Sequence, residues 1–113
     1  MFNRGPDIPT VQVEQLPADG CYLLDVREDD EWRHGHAPEA VHLPMSEIME
    51  RVAEVPADHQ VYVICKVGGR SAQVVNFLNG QGRDSVNVAG GMLAWAAAGK
   101  PMVSADGRDP VVV

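Results

Sequence analysis

The chain has 113 residues, 45% of them hydrophobic, which is enough for one compact domain with a filled core and too apolar for wholesale disorder. A formal net charge of −7 sets the surface against nucleic acid and anionic membranes, and no basic run offsets it. The longest apolar stretch, MLAWAAA at 92–98, is far too short to cross a bilayer. MFNRGPDIPT at the start lacks an apolar core of signal-peptide length, so a cytoplasmic protein is expected.

Residues 1–10 hold two prolines and a glycine and read as an extended lead-in. TVQV (10–13) and CYLLDV (21–26) then read as strands, followed by a helix near 27–34. AVHLP (40–44) is a third strand. A helix over 46–55 follows from Ile48, Val52 and Val55 at i, i+4 and i+7, with Ser46 as N-cap, a Glu47–Arg51 pair and Pro56 as stop. VYVIC (61–65) is nearly continuous in apolar residues, as a strand covered on both faces should be. SAQVVNFLNGQG starts a helix at Ser71, with Ser71, Val74, Val75 and Leu78 on one face and a stop at Gly80 and Gly82. SVNV (85–88) and a helix over 90–98 complete the series. Strands alternating with helices predict an α/β domain with a largely parallel sheet, whose ligands bind beyond the C-terminal strand ends. Cys65 falls at such an end.

In CKVGGRS (65–71) a strand passes through a loop into a helix. Gly68 and Gly69 permit positive φ and let backbone N–H groups converge. The first N–H groups of the helix lack intrahelical partners. Lys66 and Arg70 add positive charge. This pattern predicts a ring of donors around the Cys65 sulfur that lowers the thiol pKa and receives an anion. A lowered pKa gains little by itself, because nucleophilicity falls with it. The larger value of such a ring lies in holding an anionic reactant and a sulfurated cysteine in place. The plain reading of the same residues is a buried small hydrophobe followed by a turn.

The loop resembles the active-site loop of the rhodanese-like family, C-x-x-G-x-R-S. LLDVREDDEWRHGHAPEAVHLP (23–44) resembles that family's D-V-R, E-aromatic, G-H-x-P-x-A series, and VNVAGGMLAWAAAGKP (86–101) resembles its closing segment. The resemblance runs over about 10–101, leaves 102–113 as a tail, and is consistent with one domain over 1–113. It implies a three-layer fold with a five-stranded, mostly parallel sheet flanked by helices. It also implies a sulfurtransferase without cofactor or metal. Cys65 would attack the outer sulfur of thiosulfate or a persulfide, form a persulfide, and pass the sulfur to a thiol or cyanide acceptor, with a protein acceptor as a further option. Lys66, Val67, Gly68, Gly69, Arg70 and Ser71 would form the anion cradle. Asp25, Arg27, Glu31 and His36 would support it.

Three features qualify the resemblance. Val67 follows Lys66 where thiosulfate-using members often carry a second basic residue, which weakens thiosulfate as the physiological donor. Glu39 stands where glycine is usual. Arg70 faces the ligand or braces the loop against a carboxylate, and bracing is preferred. Two other classes stand beside the enzyme reading: a binding or sulfur-relay module, and a phosphatase or arsenate reductase. The last two use C-x5-R, against C-x4-R here.

Other residues receive structural readings. Arg27 is expected to pair with Glu31 at i+4, and EDDE (28–31) to serve a helix's first turn. His34 and His36 lie two apart and make a poor metal pair, with His36 expected to bond backbone. Cys21 is expected to be structural and reduced, and Trp32 and Trp95 to lie in the core.

Overall fold

The computed structural model describes residues 8–17 and 19–113, so most of the lead-in expected over 1–10 lies outside the described residues. Five strands, β1 (Thr10–Val11), β2 (Tyr22–Asp25), β3 (Val41–His42), β4 (Val61–Ile64) and β5 (Ser85–Val88), form one sheet in the order β1-β5-β4-β2-β3. Every pairing in it is parallel, with Leu24 beside Val63 and Val63 beside Asn87. Among the described residues the one antiparallel contact is an isolated bridge between His36 and Val103.

The side-chain period of two distributes each central strand over both faces. Val61, Val63 and Cys65 of the β4 segment join Leu24, Val26, Leu43, Ile48 and Val55 in a core beneath α2 (Gly69–Gly80), which contributes Val74, Val75 and Leu78. Ile64 and Leu23 point the other way. With Val13, Leu16, Ala37 and Val88 they meet α3 (Gly91–Ala97) through Met92 and Trp95. Helices therefore cover both faces, as the near-continuous apolar strands require.

Several local expectations change. The helix expected over 46–55 is replaced by two short 3-10 turns, Met45–Glu47 and Val52–Glu54. Ile48 and Val55 are buried as their spacing predicts, and Arg83 from beyond α2 donates to the carbonyls of Val52 and Val55 at 3.0 and 3.2 Å; a helix stopped at Pro56 would leave both carbonyls without an i+4 amide, so these bonds anchor the end of the segment. Ser46 is no helix cap; its hydroxyl donates to Glu28 Oε1 at 2.8 Å. The Glu47–Arg51 pair forms at 2.7 Å on the exposed side. The helix of the loop begins at Gly69, two residues before Ser71, after Gly68 at φ +114°. TVQV is strand only at Thr10–Val11, and Val13 opens a 3-10 turn.

The tail folds back. Val103 exchanges backbone hydrogen bonds with His36 at 2.9 Å, while the amides of Ala105 and Val111 donate to the carbonyls of Arg33 and His34 at 3.0 Å each. It thus docks on the segment just after α1 (Asp29–His34), where a Cβ on Gly35 would lie 2.6 Å from the Val111 carbonyl oxygen.

Candidate active site

Cys65 ends the central strand β4, and the chain then turns immediately into α2. Its Sγ accepts hydrogen bonds from the backbone N–H of Gly68 at 3.1 Å and of Ser71 at 3.4 Å, and lies 3.2 Å from Ser71 Oγ. Burial works to raise the thiol pKa. The Ser71 hydroxyl and the amides of Ser71, Gly68 and Val67 outweigh it and hold the pKa below the ordinary thiol value.

A second backbone segment closes the cradle from behind. The amides of Met92 and Leu93, at the start of α3, donate to the carbonyls of Cys65 and Lys66 at 2.8 and 3.1 Å. Gly91, at φ +56°, makes this approach possible, since a Cβ there would overlap the Cys65 carbonyl oxygen. The strand end is thus fixed by the β5–α3 turn, and the sulfur side by the loop.

Arg70 leaves the cradle. Its guanidinium pairs in fork geometry with Glu31 of α1, Nη1 to Oε1 at 2.7 Å and Nη2 to Oε2 at 2.8 Å. The Arg70 hydrogen bond leads the influences that hold the Glu31 pKa down to about 2. Glu31 Oε1 also accepts the Glu28 amide at 3.0 Å, which fixes the carboxylate at the start of α1.

Arg27 does not pair with the Glu31 carboxylate. It lies before α1 begins, off helical spacing, and its guanidinium binds Asp25 with Nη2 to Oδ2 at 2.7 Å and Nε to Oδ1 at 3.0 Å. Both side chains are fully buried. Arg27 Nη2 also donates to the Gly35 carbonyl at 2.8 Å. His36 Nδ1 meets the Trp32 carbonyl at 2.7 Å and its ring stacks on Trp32 at 3.6 Å. His42 stacks on the same indole at 4.6 Å and bonds the Arg27 carbonyl at 2.7 Å. Trp32 itself is only half-buried, whereas Trp95 is in the core.

The sequence residues thus fall into two groups. The loop amides of Val67, Gly68 and Ser71 and the Ser71 hydroxyl surround the Cys65 sulfur, with Lys66 half-buried at the next position in the chain and the Val67 side chain exposed at the loop tip. Asp25, Arg27, Glu31, Arg70 and His36 form the frame behind. Gly69 opens α2, and a Cβ there would meet nothing within 4 Å. A nucleophile has to be reached by its donor, yet Cys65 has 0% exposure in this structure.

One neighbour escaped the sequence reading. Asn87, on β5 and 7% exposed, lies 2.5 Å through Oδ1 from Ser71 Oγ. Its signal was present in SVNV, where Ser85 and Asn87 alternate with valines on a strand buried throughout. A polar side chain in such a strand needs a partner.

Cys21 sits at the opposite end of the sheet, just before β2. The strand between it and the level of Cys65 is about 15 Å long, so the two sulfurs cannot pair in this fold. Cys21 lines a cleft of about 280 Å³ together with Glu39, Trp95 and Lys100, which also places Glu39 far from the loop. Among the described residues no cluster of His, Cys, Asp or Glu is arranged to hold a metal, and no helix is long and apolar enough to cross a membrane.

The family model described as "Rhodanese-like domain" matches residues 10–98. The chain belongs to the rhodanese-like family. It is 44% identical to YtwF of Bacillus subtilis over 78% of this chain and 86% of that protein. It is 34% identical to a protein named thiosulfate sulfurtransferase GlpE from Pseudomonas savastanoi pv. phaseolicola, over 80% and 86% respectively. Among solved structures, a rhodanese-like domain protein from Staphylococcus aureus superposes with a TM-score of 0.74 at 33% identity, over 78% of this chain and 91% of that one.

Proposed function

We propose that this protein is a sulfurtransferase that carries sulfane sulfur as a persulfide on Cys65. The observation that carries the reading is the convergence of loop amides and the Ser71 hydroxyl on Sγ, an arrangement that a merely structural cysteine has no use for. Relatives named as sulfurtransferases support the same chemistry.

The Cys65 thiolate attacks the outer sulfur of the donor. With thiosulfate the S–S bond breaks, sulfite leaves with the electron pair, and a Cys65 persulfide anion remains. With an organic persulfide the leaving group is the thiolate. In the second displacement cyanide or an acceptor thiolate takes the outer sulfur and the Cys65 thiolate is restored, so no net oxidation occurs. The loop amides hold the anion at each stage. Lys66 attracts the donor, and Arg70 stiffens the loop through Glu31.

Charge favours a persulfide over thiosulfate as donor. Arg70 and Arg27 are each bound to a carboxylate, so Lys66, next to Cys65 in the chain, is the loop cation left for a donor, against the two charges of thiosulfate. A persulfide anion carries one. The closed loop also imposes a step: with Cys65 at 0% exposure, Lys66–Arg70 must move aside before a donor reaches sulfur. That buried thiol is the feature that suits the alternative, a non-catalytic module. A reducing compartment such as the cytoplasm suits both free cysteines.

The test is intact mass after incubation with thiosulfate or a low-mass persulfide and removal of excess donor. A gain of one sulfur atom, reversed by reductant and absent in Cys65→Ser, supports the reading. No adduct from either donor would leave the non-catalytic module in place. Release of phosphate from an aryl phosphate would instead mark a phosphatase.

A further inference from the structure

Ser71 Oγ carries one proton and has three acceptors in reach: Asn87 Oδ1 at 2.5 Å, the Gly68 carbonyl at 3.2 Å and Cys65 Sγ at 3.2 Å. It can donate to one at a time. Directed at Asn87, the hydroxyl offers only lone pairs to Cys65. That suits a thiol, whose S–H can donate to Oγ. It does not suit a thiolate, which needs the hydroxyl proton itself.

When Cys65 becomes an anion the hydroxyl must therefore turn toward sulfur, and its oxygen then faces Asn87 with a lone pair. An amide can answer this, because a half-turn brings Nδ2–H where Oδ1 was. Ser71 is 0% exposed and Asn87 7%, so bulk water is poorly placed to replace either bond. We propose that Asn87 is a positioning residue: by turning its amide it lets the Ser71 hydroxyl serve Cys65 as acceptor in the thiol state and as donor in the anionic state. The proposal deepens the functional reading of Cys65 but requires of it only that the thiol ionises within the loop. The proton lost by the thiol leaves to solvent when the loop opens; Ser71 and Asn87 keep their own protons and only reorient.

The plainer role for such a pair is to stitch α2 to β5, and the same strand supplies an example. Ser85 Oγ donates to Asn79 Oδ1 at 2.7 Å, and Asn79 Nδ2 returns a bond to the Ser85 carbonyl at 3.2 Å. That pair closes on itself and has no titrating neighbour. The Ser71–Asn87 pair opens onto Sγ. The charged groups nearest Cys65 are Lys66, next in the chain, and Arg70 of α2, with Glu31 and Glu28 behind Arg70. Substitution at 71 or 87 leaves all four in place.

The test follows thiolate absorbance in the mid-ultraviolet against pH in a Cys21→Ser background, so that Cys65 alone among the thiols reports. Asn87→Leu, close in size and unable to donate or accept, should raise the Cys65 midpoint by about half to one pH unit, a roughly 3- to 10-fold smaller thiolate fraction below the midpoint. Ser71→Ala should raise it at least as far, and the double variant no further than Ser71→Ala alone. Ser85→Ala should lower the melting temperature and leave the midpoint in place. The proposal is overturned if folded Asn87→Leu keeps the parent midpoint, or if its shift adds in full to that of Ser71→Ala. Should the leucine variant fail to fold, Asn87→Ala reads the same way. The titration needs no turnover, so a protein that takes up no sulfur yet shows this cycle would sink the functional reading and leave the Asn87 role standing.

Discussion

Cys65 and Cys21 flank the same parallel sheet at opposite ends, and their surroundings reverse what exposure alone would suggest. Cys65 is sealed, yet its pKa is pushed down, because a hydroxyl and three amides converge on the sulfur. Cys21 is only half-buried, yet its pKa is pushed up; burial and the Glu39 charge outweigh its own backbone amide and Lys100. What separates the proposed nucleophile from the other cysteine is the number of donors aimed at sulfur. The C-terminal end of the sheet supplies those donors because a glycine-bearing loop and a helix start meet there.

The sharpest break of this comparison is nucleophile deletion. Cys65→Ser should reduce sulfur uptake and turnover to background in a cyanide-dependent assay, while Cys21→Ser keeps both. Next comes the cradle's backing. Gly91→Ala forces a Cβ onto the Cys65 carbonyl at a positive φ and should cost about 2–4 kcal/mol in denaturant unfolding, with loss of activity.

Glu31→Gln should cost about 1–2 kcal/mol at neutral pH, discounted because Arg70 is about one-third exposed. Its folded pKa of about 2 lies below the unfolded value of 4.5, so the stabilisation is present above about pH 4.5 and is lost as pH falls toward 2. The gap in melting temperature between parent and variant should therefore close in acid. The same change frees Arg70 and should lower the KM for thiosulfate more than for a persulfide donor.

The smallest effect has opposite signs at the two thiols. Ionised Cys65 contributes stability above its unfolded pKa that is lost as pH falls through the lower folded value. Neutral Cys21 contributes stability below its unfolded pKa that is lost as pH rises through the higher folded value. Melting of Cys65→Ala and Cys21→Ala against the parent over the alkaline range should diverge accordingly.

The elements that could be read locally were those whose pattern reports burial: VYVIC as a doubly covered strand, the Val74–Val75–Leu78 stripe of α2, and the glycines that bend the loop. The 46–55 segment shows the limit. Its apolar spacing marks Ile48 and Val55 for burial, but the chain meets that spacing with two 3-10 turns, and the anchoring of its end by Arg83 from a distant part of the chain is encoded by no local pattern. The partner of Arg70 likewise lies 39 positions away, so the guanidinium's two possible directions were visible while the carboxylate was not. The i+4 spacing that points Arg27 to Glu31 does not apply, because the helix begins only at Asp29 and Arg27 binds Asp25 instead. Tail docking onto residues 33–36 joins segments with no shared periodicity.

The most direct test of the central claim is to load the protein with sulfur, trap persulfides by alkylation, and map the modified peptide. The donor-lined site predicts the extra sulfur on Cys65, with Cys21 unmodified although Cys21 is the more exposed. Sulfur on Cys21, or shared equally between the two, would contradict it.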